Sequence, residues 1–137
     1  MEIKQQQLLD AALKARSRAY TPYSGFPVGC ALLDASNHIH IGVNVENGAY
    51  GPTNCAERTA LFRAIADGVK PGAFRAVAVV ADTAGPCAPC GTCRQVLSEL
   101  CPPDMPVIMG NLKGETRVMT VAELLPGAFQ LKRQEHP

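Results

Sequence analysis

The chain reads as an α/β protein, with helices layered on a mixed sheet. Three observations predict this. Leu8, Leu9, Ala12 and Leu13 recur at helical spacing near the N-terminus. Ala76 to Ala81 form an unbroken apolar run, the mark of a strand buried on both faces. Helix and strand signals then alternate as α-β-β-α-β-α-β-β, which suits layered α/β packing. The length of 137 residues fits one domain spanning 1–137.

Each element has its own signal. The first helix is predicted from about Gln5 to Tyr20, where Thr21-Pro22-Tyr23-Ser24-Gly25 breaks it. Phe26 to Leu33 and Ile39 to Val45 are predicted strands joined by a turn at Asp34 to Asn37, hence an antiparallel hairpin. Asn47 to Asn54 is small and polar, a loop. A helix from Cys55 to about Asp67 stops at Gly68, with Asn54 as its expected N-cap. After the Ala76–Ala81 strand and a loop at 83–89, Gly91 to Leu100 forms a third helix that Pro102-Pro103 ends. Short strands follow at Pro106 to Met109 and Arg117 to Met119. A last helical piece at Val121 to Leu125 is interrupted by Pro126-Gly127.

The bulk numbers exclude several function classes. A formal net charge of +1 gives no electrostatic case for nucleic acid or an anionic membrane as partner. No tryptophan and 5% aromatic residues argue against a single-strand stacking platform. The N-terminal residues lack the apolar run of a signal peptide, and no segment has membrane-spanning length, so a cytoplasmic protein is expected. In that compartment the six cysteines point to metal binding or burial rather than disulfides.

Cys55-Ala56-Glu57 and Pro89-Cys90-Gly91-Thr92-Cys93 carry the chemistry. Three thiolates can hold one metal ion, leaving a fourth position open. A carboxylate nearby suits water activation more than structural stapling. Cys55 and Glu57 would point apart in mid-helix, so they converge only where a helix begins. Cys90 and Cys93 share one face of the next helix. Two helix N-termini then meet at one point, each with about half a positive charge, which favours thiolates. Arg58 and Arg94, adjacent to the thiols, can add hydrogen bonds to sulfur.

Plainer readings exist for each residue. Glu57 stands three after Asn54 and can close a capping box. Cys55 alone can be a small buried hydrophobe. A C-x-x-C can be a redox pair, and a structural zinc site needs a fourth ligand. His38, His40 and His136 lack ligand-like spacing and read as surface residues. Cys87 also sits three before Cys90, but Pro89 forces Ala88 away from helical dihedrals, so Cys87 cannot share a helical turn with Cys90.

These motifs resemble the zinc-dependent cytidine deaminases, in their small homotetrameric class. The resemblance extends over Tyr20 to Gly29, Asn44 to Asn47, Cys55 to Leu61, Pro89 to Gln95 and Glu123 to Phe129. Three cysteines, where the wider superfamily often has histidine at the first position, mark the tetrameric class. The resemblance implies a three-layer α/β/α fold with a mixed five-stranded sheet. It implies one Zn²⁺ per subunit on Cys55, Cys90 and Cys93, with Glu57 as proton shuttle. It implies Asn44 and Glu46 at the ribose, Phe26 against the base, the Ala56 backbone at the pyrimidine, and Phe129 reaching a neighbouring subunit's site. The implied reaction is hydrolysis of cytidine and deoxycytidine to uridine and deoxyuridine plus ammonia, as in pyrimidine salvage. The nearest alternative is a related deaminase of another aminopyrimidine nucleoside, such as a nucleoside antibiotic. A non-catalytic zinc module and a thiol redox protein are the readings from other classes.

Overall fold

A computed structural model describes residues 4–134. The element order is α1 (Gln5–Ala15), β1 (Val28–Asp34), β2 (Ile39–Val43), α2 (Ala56–Ala66), β3 (Phe74–Ala81), α3 (Gly91–Leu100), β4 (Pro106–Asn111), β5 (Thr116–Thr120) and α4 (Val121–Leu124). One five-stranded sheet runs β2-β1-β3-β4-β5. The β3–β4 pair is parallel and the other pairs are antiparallel, so the sheet is mixed, as expected.

Strand periodicity divides the core into two faces. Cys30 and Leu32 of β1, Val77 and Val79 of β3, and Val107 and Met109 of β4 pack with Ala60, Leu61, Leu97 and Val121. Their neighbours Ala31, Leu33, Ala78, Val80 and Ile108 pack with Leu8, Leu9 and Ala12. Helix α1 therefore covers one face and α2, α3 and α4 cover the other, giving the three-layer arrangement. Two glycines let helices close onto the sheet. A Cβ on Gly29 would lie 1.9 Å from the Ala12 carbonyl, and one on Gly42 would lie 2.4 Å from the Ala56 carbonyl.

This topology decides where α2 and α3 begin. Strands β2 and β3 flank β1 and both run antiparallel to it, so their C-terminal ends lie at the same edge of the sheet. Helix α2 follows β2 and α3 follows β3, on the same face. Their N-termini consequently meet.

Three local expectations need correction. Helix α1 stops at Ala15, tightens through a 3₁₀ turn at Arg16–Arg18, and leaves Ala19 extended. Tyr20 is instead recruited by the chain after β2, donating its N–H to the Asn44 carbonyl and accepting from the Glu46 amide. The N-cap of α2 is Cys55 rather than Asn54, and no side chain caps it. Asn54 donates to the Thr59 hydroxyl at 3.2 Å instead. His40 is not a surface residue: its side chain is 13% exposed and its Nε2 lies 2.8 Å from Asp34 Oδ2. His38 is exposed as expected, and His136 lies outside the described residues.

Candidate active site

Cys55 and Cys90 occupy equivalent places. Each is the N-cap of its helix with extended dihedrals, φ −75° and ψ 157° for Cys55, φ −69° and ψ 167° for Cys90. Neither helix start receives a side-chain cap, so the partial positive charge of both N-termini is left for the sulfurs. Cys93 sits in the first turn of α3 and is fully buried. Cys90 Sγ lies 3.7 Å from Cys55 Sγ and 3.4 Å from Cys93 Sγ. All three sulfurs fall within 4.8 Å of one another. Zinc–sulfur bonds of about 2.3 Å at tetrahedral angles separate the sulfurs by about 3.8 Å, so the donor set fits zinc.

Burial and hydrogen bonding polarise the thiols. Bonds from Cys93 and Arg58 hold Cys55 well below the usual thiol range, and the same bond pushes Cys93 up. Arg58 Nη2 donates to Cys55 Sγ at 3.2 Å, while its Nε is buried without a partner among the described residues. Arg94 does not reach sulfur. Its Nε donates to the Pro89 carbonyl at 2.9 Å and its Nη1 to the Leu124 carbonyl at 3.0 Å, so it ties the Cys90 loop to α4.

Glu57 is only 4% exposed, at the second residue of α2. Burial first, then the Cys55 charge, pushes its carboxyl up to about 6. With the helix starting after Cys55, Glu57 is one residue too early for a capping box. Ala56, the first residue of α2, is buried beside it. Cys87 lies outside the sulfur cluster. It is buried, its amide donates to the Gly110 carbonyl at 3.1 Å, and burial pushes its thiol up to about 11.

Phe26, Asn44 and Glu46 gather where the segment before β1 meets the segment after β2, while Phe129 lies in the segment after α4. Asn44 accepts from the Val28 amide at 2.8 Å and donates to the Phe26 carbonyl at 2.9 Å. Glu46 Oε1 accepts the amides of Tyr23 and Ser24, each at 3.0 Å, and Glu46 Oε2 accepts the Ser24 hydroxyl. Phe26 is 39% exposed. Tyr23, Ser24, Glu46, Asn47, Tyr50 and Thr53 line an open cleft. Thr53 organises the far wall by accepting the Asn47 amide at 3.0 Å. Phe129 is exposed, with its carbonyl accepting from Gln95 Nε2 at 3.1 Å. Sequence reasoning missed Ser24, whose only signal is a small hydroxyl in the turn before Phe26.

Comparison with known proteins agrees with this geometry. Residues 2–109 match the family model described as the cytidine and deoxycytidylate deaminase zinc-binding region. The chain is 57% identical over 124 residues to a cytidine deaminase of Sporosarcina psychrophila, covering 90% of each chain. It is 55% identical over 124 residues to that of Halalkalibacterium halodurans, covering 90% of this chain and 92% of the relative. The crystal structure of cytidine deaminase from Burkholderia pseudomallei superposes with a TM-score of 0.91 at 51% identity, covering 93% of this chain and 100% of that one.

Proposed function

The chain belongs to the cytidine and deoxycytidylate deaminase family, and from that premise we propose how its own residues perform the reaction. It is a zinc-dependent enzyme that hydrolyses cytidine to uridine and ammonia, and deoxycytidine is read as a second substrate. One observation carries the division of roles: a buried carboxyl, Glu57, stands beside three clustered thiols at two uncapped helix N-termini.

Cys55, Cys90 and Cys93 hold the zinc in this reading. When bound, the ion supplies an activated water at neutral pH. Glu57 takes a proton from that water and hands it to N3 of the pyrimidine, which makes C4 electrophilic. After the hydroxyl adds to C4, Glu57 carries its proton to the exocyclic nitrogen. The C4–N bond breaks and ammonia leaves. One carboxyl is base and then acid, and its upward shift to about 6 brings it near working pH. Phe26 packs against the base, the Ala56 backbone meets the pyrimidine, and Asn44 and Glu46 face the sugar.

The substrate class follows from Glu46. The Ser24 hydroxyl and amide, with the Tyr23 amide, hold its carboxyl below the usual range. A carboxylate kept ionised near the sugar repels a 5′-phosphate, which favours nucleosides over nucleotides. Exposed aromatic side chains Tyr23, Tyr50 and Phe129 support a homotetramer in which neighbours complete the site. All six cysteines are free, which suits a cytosolic enzyme. No helix among the described residues is long and apolar enough to cross a membrane.

An absorbance assay of cytidine turnover, with and without a zinc chelator, tests the reading. Turnover that survives zinc removal, or no turnover of cytidine by the zinc-loaded protein, would overturn it. Cytidine monophosphate turned over as efficiently as cytidine would overturn the nucleoside preference.

A further inference from the structure

Glu46 spends most, and Asn44 half, of its hydrogen-bonding capacity on the protein itself. An ionised carboxylate offers about four acceptor positions. On Glu46, two positions of Oε1 are filled by the amides of Tyr23 and Ser24, and one of Oε2 by the Ser24 hydroxyl. About one position remains, on Oε2. Asn44 similarly has one N–H and one lone pair left after bonding Phe26 and Val28.

Ser24 stands at the centre of this arrangement. Its hydroxyl donates to Glu46 Oε2 and accepts the Phe26 amide at 3.0 Å. It therefore links the carboxylate assigned to the sugar with the backbone of the residue assigned to the base. Of the three groups on Glu46, the hydroxyl is the one that fixes which lone pair of Oε2 is left open. Without it the carboxylate keeps its two amide partners on Oε1 but can swing about them.

We propose that Ser24 is a positioning residue: its hydroxyl turns Glu46 so that Oε2 presents a single acceptor to one sugar hydroxyl, and ties that orientation to Phe26. This rests on the reading of Glu46 as a sugar contact and extends it to a residue with no assigned role. The chemistry recognised is a nucleoside hydroxyl on the sugar ring, and the step affected is binding rather than proton transfer at the base.

The test measures kcat and KM for cytidine and for 2′,3′-dideoxycytidine in the zinc-loaded wild type, Ser24→Ala, Ser24→Thr, Glu46→Gln and the Ser24→Ala/Glu46→Gln double variant. Thermal unfolding of each checks the fold. Ser24→Ala is expected to raise KM for cytidine about tenfold, the size of one charge-assisted hydrogen bond. Its kcat should stay within about twofold, and its KM for the dideoxynucleoside should not change. Ser24→Thr keeps the hydroxyl and should behave as wild type. In the Glu46→Gln background, Ser24→Ala should add little. Equal effects of Ser24→Ala on both substrates, or none on either, would overturn the positioning role while a selective Glu46→Gln defect preserved the sugar contact. A Glu46→Gln change that affected both substrates equally, leaving the wild-type preference for cytidine intact, would overturn both.

Discussion

Arg58 Nη2 sits 3.2 Å from Cys55 Sγ, one turn along the helix that Cys55 caps. Three thiolates and Zn²⁺ carry a net charge of about −1, which a guanidinium and two helix N-termini offset. The arrangement works because α2 starts at Ala56, bringing its third residue, Arg58, back over the cap. Arg58→Ala is expected to keep the fold and weaken zinc about 10- to 100-fold, as removal of a group that orients a ligand does. Competition with a chelating dye measures it. Unchanged zinc affinity would mean that the guanidinium serves the thiols in no way that matters to the metal.

Gly42 sets the distance between β2 and the start of α2. A Cβ there would meet the Ala56 carbonyl at 2.4 Å, the Ala60 amide at 2.5 Å and the Ala60 Cβ at 2.8 Å. Two are backbone atoms and the third a Cβ fixed to the backbone of the helix that carries Glu57 and is capped by Cys55, so relief requires moving the helix. Gly42→Ala is expected to cost about 3 kcal/mol, the upper end for overpacking, and to lower zinc occupancy. Gly85→Ala, with open space at its Cβ, should leave both unchanged. Urea unfolding and metal analysis of the two variants check the contrast.

The architecture was legible because its signals are periodic and local. The β3 run and the alternation of elements decide the layers, and α3 begins at Gly91 and ends at Leu100 as its flanking cysteine and prolines indicate. The sulfur cluster was legible for the same reason: ligand spacing is a statement about helix starts. Misjudged details depend on long-range partners. Asn54 has the chemistry of a cap, but its backbone pairs with Val45, which moves the cap to Cys55. Arg94 is next to a ligand in sequence, yet the carbonyls of Pro89 and Leu124 claim it. Ser24 reaches Glu46 across 22 residues, beyond any local window, and Asp34 meets His40 only through the register of the β1–β2 hairpin.

Asp34 shows how such a pairing stabilises the hairpin. Its carboxylate accepts the amides of Ser36 at 2.8 Å and His38 at 3.0 Å, and His40 at 2.8 Å. Burial pushes the carboxyl up, but the bonds from His40, His38 and Ser36 outweigh it, so the net shift is downward. A lowered carboxyl stabilises the fold above its ordinary value of 3.8 and loses that contribution as pH falls through the lowered one. Asp34→Asn is therefore expected to destabilise by about 1–2 kcal/mol at pH 7. The gap to wild type should close in strong acid. Urea midpoints at pH 7 and at the most acid pH where the wild type still folds test this, and a gap that failed to narrow at the acid extreme would contradict it.

Glu57 carries the opposite sign. Its carboxyl is pushed up from 4.5 to about 6, chiefly by burial and secondarily by the Cys55 charge. A raised carboxyl favours the folded state fully below 4.5, and that advantage is lost as pH rises to about 6. In the metal-free protein, the rise from 4.5 to about 6 amounts to about 2 kcal/mol at pH 8. Glu57→Gln removes the titrating charge while keeping the shape. The metal-free variant should therefore be more stable than metal-free wild type at pH 8 by about that amount, and equal to it near pH 4. Once zinc is restored, the same variant should retain the ion and lose 10²- to 10⁴-fold in kcat for cytidine, the span expected for a missing general acid–base. A variant both more stable and inactive identifies a carboxyl kept in the core for proton transfer. If Glu57 were structural, Glu57→Gln would lose stability at pH 8 and keep its turnover.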